Sequence, residues 1–226
     1  MQAIIAGATG LVGGKILELL LADPAYEKVH SLVRRAPAKA TGGKLETHVV
    51  DFDALEAQDA SAVAALPAVD HVLISLGTTI KKAGSQEAFR KVDFGYVVAV
   101  ARAARARGAR RVGLVSSLGA AADSSVFYNR VKGEAEDVLK GLGYEATVLA
   151  RPSILDGDRR ESRPGERVGI AVGNALSFVM VGALRKYRPI PIERVARGLV
   201  RAVKDDTMLG TIVIESDELS ILGRPQ

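Results

Sequence analysis

Short apolar runs alternate along the chain with longer segments whose apolar residues recur every three or four positions. The short runs predict strands at Ala3–Ala6, Val29–Val33, Thr47–Val50, His71–Ser75, Val112–Ser116, Thr147–Ala150 and Thr211–Ile214. The longer segments predict helices at Leu11–Leu21, Gln86–Arg107, Ser125–Leu142 and Ile192–Val203. Strands that alternate with helices form right-handed βαβ crossovers, so the pattern predicts an α/β fold with a Rossmann-like, doubly wound parallel sheet. Such sheets bind ligands at the carboxyl ends of their strands.

The length and the order of elements predict one domain over residues 1–226. The chain has 226 residues, 48% of them apolar, which is enough for a substantial core. The longest predicted loop, Asp156–Gly169, is rich in arginine, proline and glycine. Because long loops in compact domains are commonly functional, we expect residues 156–190 to form a small C-terminal part that covers the substrate.

Composition narrows the class of protein further. The chain has no cysteine, which excludes disulfides and thiolate catalysis and favours a cytoplasmic location. The N-terminus lacks the basic leader of a signal peptide. One uncharged stretch, Val168–Leu184, is at the short limit for a membrane span and contains Asn174 and Ser177. We interpret it as a buried or pocket-covering helix and expect no membrane span.

The charged residues and the histidines give no sign of nucleic-acid or metal binding. The formal net charge is +5, but the arginines near Gln86–Arg107 suit a solvated helix face and its last turn. No aromatic residues alternate with them to stack bases. His30, His48 and His71 fall in or beside predicted strands and lack metal-ligand spacing along the chain. We therefore expect no nucleic-acid partner and no metal.

A glycine-rich turn, "AIIAGATGLVGG", joins the first strand to the first helix. Glycine lets backbone amides and the helix N-terminus approach a pyrophosphate, which a side chain would keep away. Turns and helix packing also select glycine, but the position directly after an N-terminal strand predicts a dinucleotide site. The residues of this site would be Gly7, Thr9, Gly10, Leu11, Val12 and Gly13.

The end of the second strand indicates which dinucleotide is preferred. An acidic residue near this position would bind the adenosine ribose of NAD, but the sequence has Arg34 and Arg35 there. A guanidinium presents a planar fork of donors that matches a phosphate. The pair could also be two exposed arginines with no ligand. We expect NADP(H) to be preferred, with NAD(H) as a possible cofactor.

Two further strand ends supply candidate cofactor contacts. Asp51, followed by Phe52, could accept a hydrogen bond from the adenine amino group or could cap the next helix. Leu76, Gly77 and Thr78 end the fourth strand and would lie beside the bound dinucleotide, although Gly77 could serve only as a turn residue. We expect the residues at both strand ends, from Asp51 and from Leu76 onward, to bind the cofactor.

The stretch "SSLGAAADSSVFYNRVKGE" contains a candidate catalytic set. Ser117 follows the fifth strand, and Tyr128 and Lys132 share one helix face because they are four residues apart. A tyrosine exchanges protons poorly at neutral pH unless a nearby ammonium favours its phenolate, and Lys132 can supply that charge while holding the nicotinamide ribose. Ser117 can orient a substrate oxygen. This set is suited to carbonyl reduction or alcohol oxidation.

These motifs resemble a known family. "GATGLVG", "VSS" and "YNRVK" are similar to the short-chain dehydrogenase/reductase superfamily across nearly the whole chain. Within it, "SLGTTIKKAGSQEAFRKVDFGYV", "VKGEAE", "ARPSIL" and "DRRESRPGE" resemble the atypical branch of Tat-interacting-protein reductase-like proteins. The resemblance implies a nicotinamide-binding fold, a catalytic set of Ser117, Tyr128 and Lys132, and a nicotinamide end lined by Arg151, Pro152 and Ser153.

One position departs from the superfamily pattern. Short-chain enzymes often have a proton-relay asparagine in the helix after the fourth strand, whereas "RKVDFGY" has Asp93. Asp93 could take part in a relay or could pair with a neighbouring cation. The sequence leaves both roles open.

The sequence as a whole predicts an NADP(H)-dependent oxidoreductase that transfers hydride to or from a small carbonyl or alcohol. The main alternative is a dinucleotide-sensing regulator that binds a protein partner without turnover. A sugar-nucleotide epimerase or dehydratase is less compatible, because the chain is short for a domain that holds a nucleotide sugar. Asp156–Leu184 has no polar pattern that identifies the substrate, and a monomer and a homodimer are both compatible with the sequence.

Overall fold

The central feature of the computed structural model, which describes residues 1–36, 42–156 and 182–225, is a parallel sheet of seven strands. Its strand order is β3-β2-β1-β4-β5-β6-β9, and a separate pair of short strands, β7 and β8, lies outside it. The strands are β1 (Gln2–Ala6), β2 (Lys28–Val33), β3 (Leu45–Val49), β4 (His71–Ile74), β5 (Arg111–Val115), β6 (Ala146–Arg151), β7 (Leu155–Asp156), β8 (Ile190–Pro191) and β9 (Gly210–Glu215). The predicted doubly wound sheet is confirmed.

Helices connect the strands. They are α1 (Leu11–Ala22), α2 (Phe52–Glu56), α3 (Ala60–Ala64), α4 (Ile80–Ala83), α5 (Gln86–Arg90), α6 (Val97–Ala106), α7 (Phe127–Lys140), α8 (Ile192–Lys204) and α9 (Ser216–Leu222). A π-helical segment, Lys91–Tyr96, joins α5 to α6, and a 3₁₀ segment spans Gly182–Tyr187. The predicted helix Gln86–Arg107 is therefore continuous but contains a π turn, a feature that often occurs at functional sites.

Both faces of the sheet are buried, as expected for a parallel sheet. On one face, Ile4 of β1 and Leu114 of β5 belong to a core that includes buried residues of α2, α6 and α7. On the other face, Ile5 of β1 and Val148 of β6 belong to a core shared with α1 and α8. Successive side chains of a strand point to opposite faces. Because both faces are buried here, every position of β1 after Gln2 is apolar.

The strand order changes direction at β1. This strand pairs with β2 on one side and with β4 on the other, and the chain winds outward from it in both directions. In open α/β sheets, ligands bind in the crevice outside the carboxyl ends of the strands at this point. The residues directly after β1 and β4 are therefore the first candidates for a ligand site.

The C-terminal part of the chain is described only in part. The predicted helix Val168–Leu184 and the predicted substrate cover, residues 156–190, lie largely outside the described residues. Of these two segments, the structure describes only Asp156 and residues 182–190. Across residues 1–36, 42–156 and 182–225, none of the helices has the length and apolar character needed to cross a membrane.

Candidate functional site

The turn between β1 and α1 brings backbone segments together more closely than side chains would permit. Gly7 has a φ of +94°, and a Cβ atom there would lie 2.4 Å from the carbonyl oxygen of Ser75, just after β4. A Cβ on Gly13 would lie 2.0 Å from the carbonyl oxygen of Gly7. Glycine is therefore required at both positions.

The first turn of α1 is free to receive an anion. Gly10 occupies the N-cap position without a side-chain hydrogen bond to the helix, and the first turn contains no acidic residue. The amides of this turn thus keep their hydrogens available at the positive end of the helix dipole. A cradle of glycines in front of an uncapped helix fits the pyrophosphate of a dinucleotide.

The predicted adenosine-side residues lie after β2 and β3. Arg34 and Arg35 are exposed, and neither forms an ion pair within the parts of the chain that the structure describes. Asp51 Oδ1 accepts hydrogen bonds from the amides of Asp53, at 2.9 Å, and Ala54, at 3.2 Å. Asp51 therefore caps α2, which was one of its two predicted roles, and Phe52 is buried beneath it.

Lys132 and Asp93 form a buried ion pair at the candidate catalytic site. Lys132 Nζ lies 2.8 Å from Asp93 Oδ1, and both side chains are almost fully buried. Asp93 Oδ2 accepts a hydrogen bond of 2.8 Å from the amide of Thr78. A Cβ on Gly77 would lie 3.3 Å from Asp93 Oδ1, so the missing side chain helps this carboxylate to approach the loop after β4. The π-helical segment carries Asp93 to this position.

The ion pair keeps Lys132 charged. Burial alone would lower the pKa of Lys132, but Asp93, Tyr128 and Glu136 together outweigh burial, so its pKa is raised above the ordinary value. An opposite charge in contact with a buried group favours its charged form. Lys132 is therefore an ammonium at neutral pH, held next to the helix face that carries Tyr128.

Tyr128 and Ser117 complete the predicted catalytic set. Tyr128 is half-buried in the first turn of α7, and its ring centroid lies 5.5 Å from that of Phe89. Ser117 is half-buried in the turn after β5, and its Oγ has one long contact of 3.4 Å to the carbonyl oxygen of Leu118. Such a contact is weak, so the hydroxyl can bond a ligand oxygen instead.

Close packing holds α7 against the loop after β5. A Cβ on Gly133 would lie 2.2 Å from the carbonyl carbon of Ala121. This glycine therefore lets the helix that carries Tyr128 and Lys132 approach the segment that follows Ser117. The sequence prediction did not include Gly133, because glycine within a helix gives no indication of what it packs against.

A second buried ionic group adjoins the candidate catalytic set. Glu136, fully buried, accepts a hydrogen bond of 2.5 Å from Ser116 Oγ and one of 3.0 Å from Arg151 Nε. Arg151 Nη2 donates to the second oxygen of the same carboxylate. Arg151, predicted to line the nicotinamide end, is thus anchored to α7. The spacing of Tyr128, Lys132 and Glu136, each four residues apart, could have placed Glu136 on the same helix face.

A basic pocket lies beside Ser153. Ser153 Oγ lies 2.9 Å from Ser216 Oγ and donates to the carbonyl oxygen of Arg188. Ser216 lines a pocket of about 570 Å³ that is also bordered by Arg185, Arg188, Arg194, Arg224, Asp156 and Asp217. Among the residues that the structure describes, Arg188 Nε is buried and has no hydrogen-bond partner. Within the described part of the chain, the lining therefore has an excess of positive charge and an unused buried donor.

The histidines are arranged differently from what their spacing along the chain suggests. His71 is buried and bonded to the hydroxyl of Tyr26, with 2.8 Å between Nδ1 and the oxygen. His30 and His48, in contrast, come together on β2 and β3 beside Glu46. Sequence spacing cannot predict this cluster, because strand pairing brings its members together.

The fold and the glycine cradle define a dinucleotide-binding protein, and the sequence comparison agrees. The chain belongs to the NAD(P)H-binding family, whose pattern matches residues 7–206. Its relatives include Protein fmp52-1, mitochondrial, of Aspergillus terreus, which is 43% identical over 72% of this chain and 70% of the relative. Protein FMP52, mitochondrial, of Candida albicans is 34% identical over 97% of this chain and 96% of the relative.

Solved structures show the same fold at low sequence identity. The oxidoreductase ylbE from Lactococcus lactis superposes with a TM-score of 0.65 at 19% identity, covering 94% of this chain and 89% of that chain. MoeE5 in complex with UDP-glucose and NAD superposes with a TM-score of 0.67 at 16% identity, covering 99% and 81%. These likenesses establish the Rossmann-like architecture.

The expected cytoplasmic location is wrong. The relatives of Aspergillus terreus, Candida albicans and Scheffersomyces stipitis are all named as mitochondrial proteins. The prediction rested on the absence of cysteine, which excludes a fold held by disulfides but does not distinguish one reducing compartment from another.

Proposed function

We propose that the protein is an NADP(H)-dependent oxidoreductase of the short-chain dehydrogenase/reductase type, acting on a small carbonyl or alcohol. The observation that carries this proposal is the charged, buried Lys132 one helical turn after Tyr128, in a chain whose β1–α1 turn fits a dinucleotide. A bound nicotinamide would supply or accept the hydride. The resemblance to the Tat-interacting-protein reductase-like branch remains part of this proposal.

The chain's own residues would handle the proton. Tyr128 donates its phenolic proton to the carbonyl oxygen as that oxygen gains negative charge, and the Lys132 ammonium stabilises the phenolate that remains. Ser117 donates a hydrogen bond to the same substrate oxygen. In the oxidation of an alcohol, Tyr128 takes up the proton instead.

Asp93 is proposed as a positioning residue. Its carboxylate binds Lys132 and the amide of Thr78, so it fixes the ammonium between α7 and the loop after β4. This arrangement supports the cation-pairing role over the relay role of the asparagine found in many short-chain enzymes. Asp93 would act through the charge of Lys132 rather than through a proton transfer of its own.

We also propose that NADP(H) is preferred over NAD(H). Arg34 and Arg35 are exposed at the carboxyl end of β2, on the strand adjacent to the glycine turn. A guanidinium at this point can bind a 2′-phosphate with two parallel hydrogen bonds. Asp51 is engaged in capping α2, so it does not compensate for the missing ribose-binding carboxylate.

The basic pocket supports a proposal on the class of substrate, because its Ser216 contacts Ser153, which is proposed to line the nicotinamide end. Among the lining residues that the structure describes, four arginines outnumber two carboxylates, and the buried Nε of Arg188 lacks a partner. Burial of an unpaired donor costs free energy, which an anionic group would recover. We therefore propose that the substrate carries a carboxylate or phosphate in addition to its carbonyl.

The test is a screen of NADPH oxidation over aldehydes, ketones and quinones, each supplied as a neutral compound and as a matched carboxylated one. We expect turnover, with lower KM for the charged member of each pair. Arg188→Gln should raise the KM of the charged member by about 10- to 100-fold, the range of a charge-assisted hydrogen bond. Arg102→Gln, an exposed change on α6, should alter neither KM.

Two outcomes of this screen would contradict the proposal at different levels. Turnover with equal KM for charged and neutral compounds would remove the anionic substrate and leave the oxidoreductase. Tight NADPH binding without turnover of any compound would favour the dinucleotide-sensing alternative.

A further inference from the structure

Two neighbouring strands bring metal-binding side chains to one place on the sheet, away from the candidate active site. In the pairing of β2 with β3, His30 is opposite Glu46 and Leu32 is opposite His48. Residues two apart on a strand share a face, so His30, Glu46 and His48 project to the same side. We call these three residues the His30 cluster. The cluster spans β2 and β3, whereas Lys132 and Ser117 adjoin β4 and β5.

The distances within the His30 cluster correspond to those of a coordination shell. His30 Nδ1 lies 3.0 Å from His48 Nε2 and 3.4 Å from Glu46 Oε2, and all three ligand atoms lie within 4.8 Å of one another. Ligands about 2.0–2.2 Å from a zinc ion are separated from each other by about 3.0–3.5 Å at tetrahedral and octahedral angles. Two imidazoles and one carboxylate are a common ligand set for zinc and iron.

A neighbouring strand fixes the orientation of the first ligand. Gln2 Oε1, on β1, lies 3.0 Å from His30 Nε2. An amide oxygen only accepts hydrogen bonds, so this contact assigns the ring hydrogen to Nε2 and directs the lone pair of Nδ1 toward His48 and Glu46. Metal-binding histidines characteristically use their second nitrogen in this way.

The exposure of the cluster also suits a metal ion, since His30 is buried and its two partners are reached by solvent. Lys28 contacts Glu46 Oε1 and leaves Oε2 directed toward His30. Glu46 and His48 are half-buried on β3, which is the edge strand, so water can reach a further coordination position.

We propose that His30, Glu46 and His48 form a binding site for a divalent transition-metal ion, with zinc as the best match, and that Gln2 orients His30 within it. The ion would join the edge strand β3 to β2 and leave one position for water. This site is independent of the oxidoreductase proposal, because none of its residues belongs to the Ser117, Tyr128 and Lys132 set.

The test is titration of the chelator-treated full chain with zinc by calorimetry, followed by cobalt substitution and visible absorption spectroscopy. We expect one equivalent of zinc and a cobalt spectrum with the d–d bands of nitrogen and oxygen ligation. His48→Ala changes a half-buried edge residue and should abolish both. Gln2→Leu keeps the three ligands and should weaken zinc binding by about 10- to 100-fold, as loss of an orienting partner does.

Lys28→Met is a control variant that should strengthen zinc binding, whereas the other two variants weaken it. It leaves every ligand in place but removes a competing ammonium from Glu46, so zinc should bind more tightly than to the wild type. Circular dichroism of each variant would establish that it is folded. Absence of zinc uptake by the wild type, or uptake that is unchanged in folded His48→Ala, would overturn the proposal.

Discussion

At the scale of single residues, Lys132 is the side chain on which the candidate active site depends most. A buried ammonium needs a counter-charge, and Asp93 supplies it at 2.8 Å. The same carboxylate accepts the amide of Thr78, so one acidic residue connects α7, the π-helical segment and the loop after β4. The proposed acid/base role of Tyr128 depends on this ammonium.

Replacement of Asp93 should shift the pH dependence of turnover and of NADPH binding. Asp93→Asn keeps an acceptor for the Thr78 amide but removes the charge that holds the pKa of Lys132 above its ordinary value. Burial then dominates and the pKa of Lys132 falls, so Lys132 loses its proton at a lower pH. We expect the alkaline limit of turnover and of NADPH affinity to move to lower pH. Glu87→Gln, an exposed change on α5, should leave both profiles in place.

Arg34 should decide between the two dinucleotides. Arg34→Ala should weaken NADPH binding by about 1–3 kcal/mol, because a charge-assisted contact to phosphate is lost, and should leave NADH binding nearly unchanged. Calorimetry with both cofactors measures the difference. Equal affinities of the wild type for NADPH and NADH would show that the arginines do not select a phosphate.

At the scale of elements, the first turn of α1 contains two adjacent glycines, Gly13 and Gly14, that differ in how closely their surroundings approach. A Cβ at Gly13 would lie 2.0 Å from the backbone oxygen of Gly7, whereas a Cβ at Gly14 would lie 3.4 Å from that of Ala8, an ordinary contact. The first glycine is needed for the approach of α1 to the turn. The second lies in the same helix without such a constraint, so it is a matched control.

The two substitutions should change stability in opposite directions. Gly14→Ala should stabilise α1 by up to about 1 kcal/mol, the difference in helix propensity. Gly13→Ala should destabilise the protein by about 1–3 kcal/mol through overpacking and should also impair NADPH binding. Urea denaturation and cofactor titration measure both effects. A Gly13→Ala variant as stable as Gly14→Ala would contradict the close approach.

Elements with a regular apolar pattern could be predicted from the sequence. The seven strands of the main sheet and the long helices were predicted from runs and periodicity. Burial on both faces leaves a continuous apolar signal in β1 and β4, whereas the edge strands β3 and β9 are partly exposed. The helices α2, α3, α4 and α5 are four or five residues long, too short to display a period, and depend on the caps Asp51, Asp59, Thr79 and Ser85. The π turn was missed because it does not interrupt the apolar pattern.

The candidate site could be predicted only where its residues are close in sequence. Tyr128 and Lys132 are one helical turn apart, so their spacing is visible. The partners of Glu136, in contrast, lie on β6 and after β5, and the His30 cluster depends on the register of β2 with β3. Contacts of this kind depend on which strands are neighbours and on their register. The sequence predicted a parallel sheet but not the residues that face each other in it.

At the scale of the whole molecule, buried histidine makes stability depend on pH. Burial lowers the pKa of His71 to about 4, below its unfolded value of 6.5. The unfolded chain therefore binds a proton that the folded chain excludes, and the folded state loses stability as the pH falls from 6.5 toward 4. The shift corresponds to roughly 3 kcal/mol, at about 1.4 kcal/mol per pKa unit.

Urea denaturation between pH 7.5 and pH 4.5 should detect this loss. In the wild type, the free energy of unfolding should be level above pH 6.5 and should decline below it. His71→Gln can still bond the hydroxyl of Tyr26, but it has no proton to gain, so its decline over the same range should be smaller. Parallel curves for the two proteins would contradict the assignment.

The central claim, that this chain transfers hydride with Tyr128 as the proton donor, is tested most directly by isotope transfer. NADPH that carries deuterium at the reactive position of the nicotinamide is incubated with the protein and the panel of carbonyl compounds. We predict that deuterium appears on the former carbonyl carbon of an alcohol product. Tyr128→Phe should slow this transfer by about 10²–10⁴-fold with NADPH affinity unchanged. Bound NADPH that delivers no deuterium to any carbonyl, or transfer at the wild-type rate by Tyr128→Phe, would contradict the account.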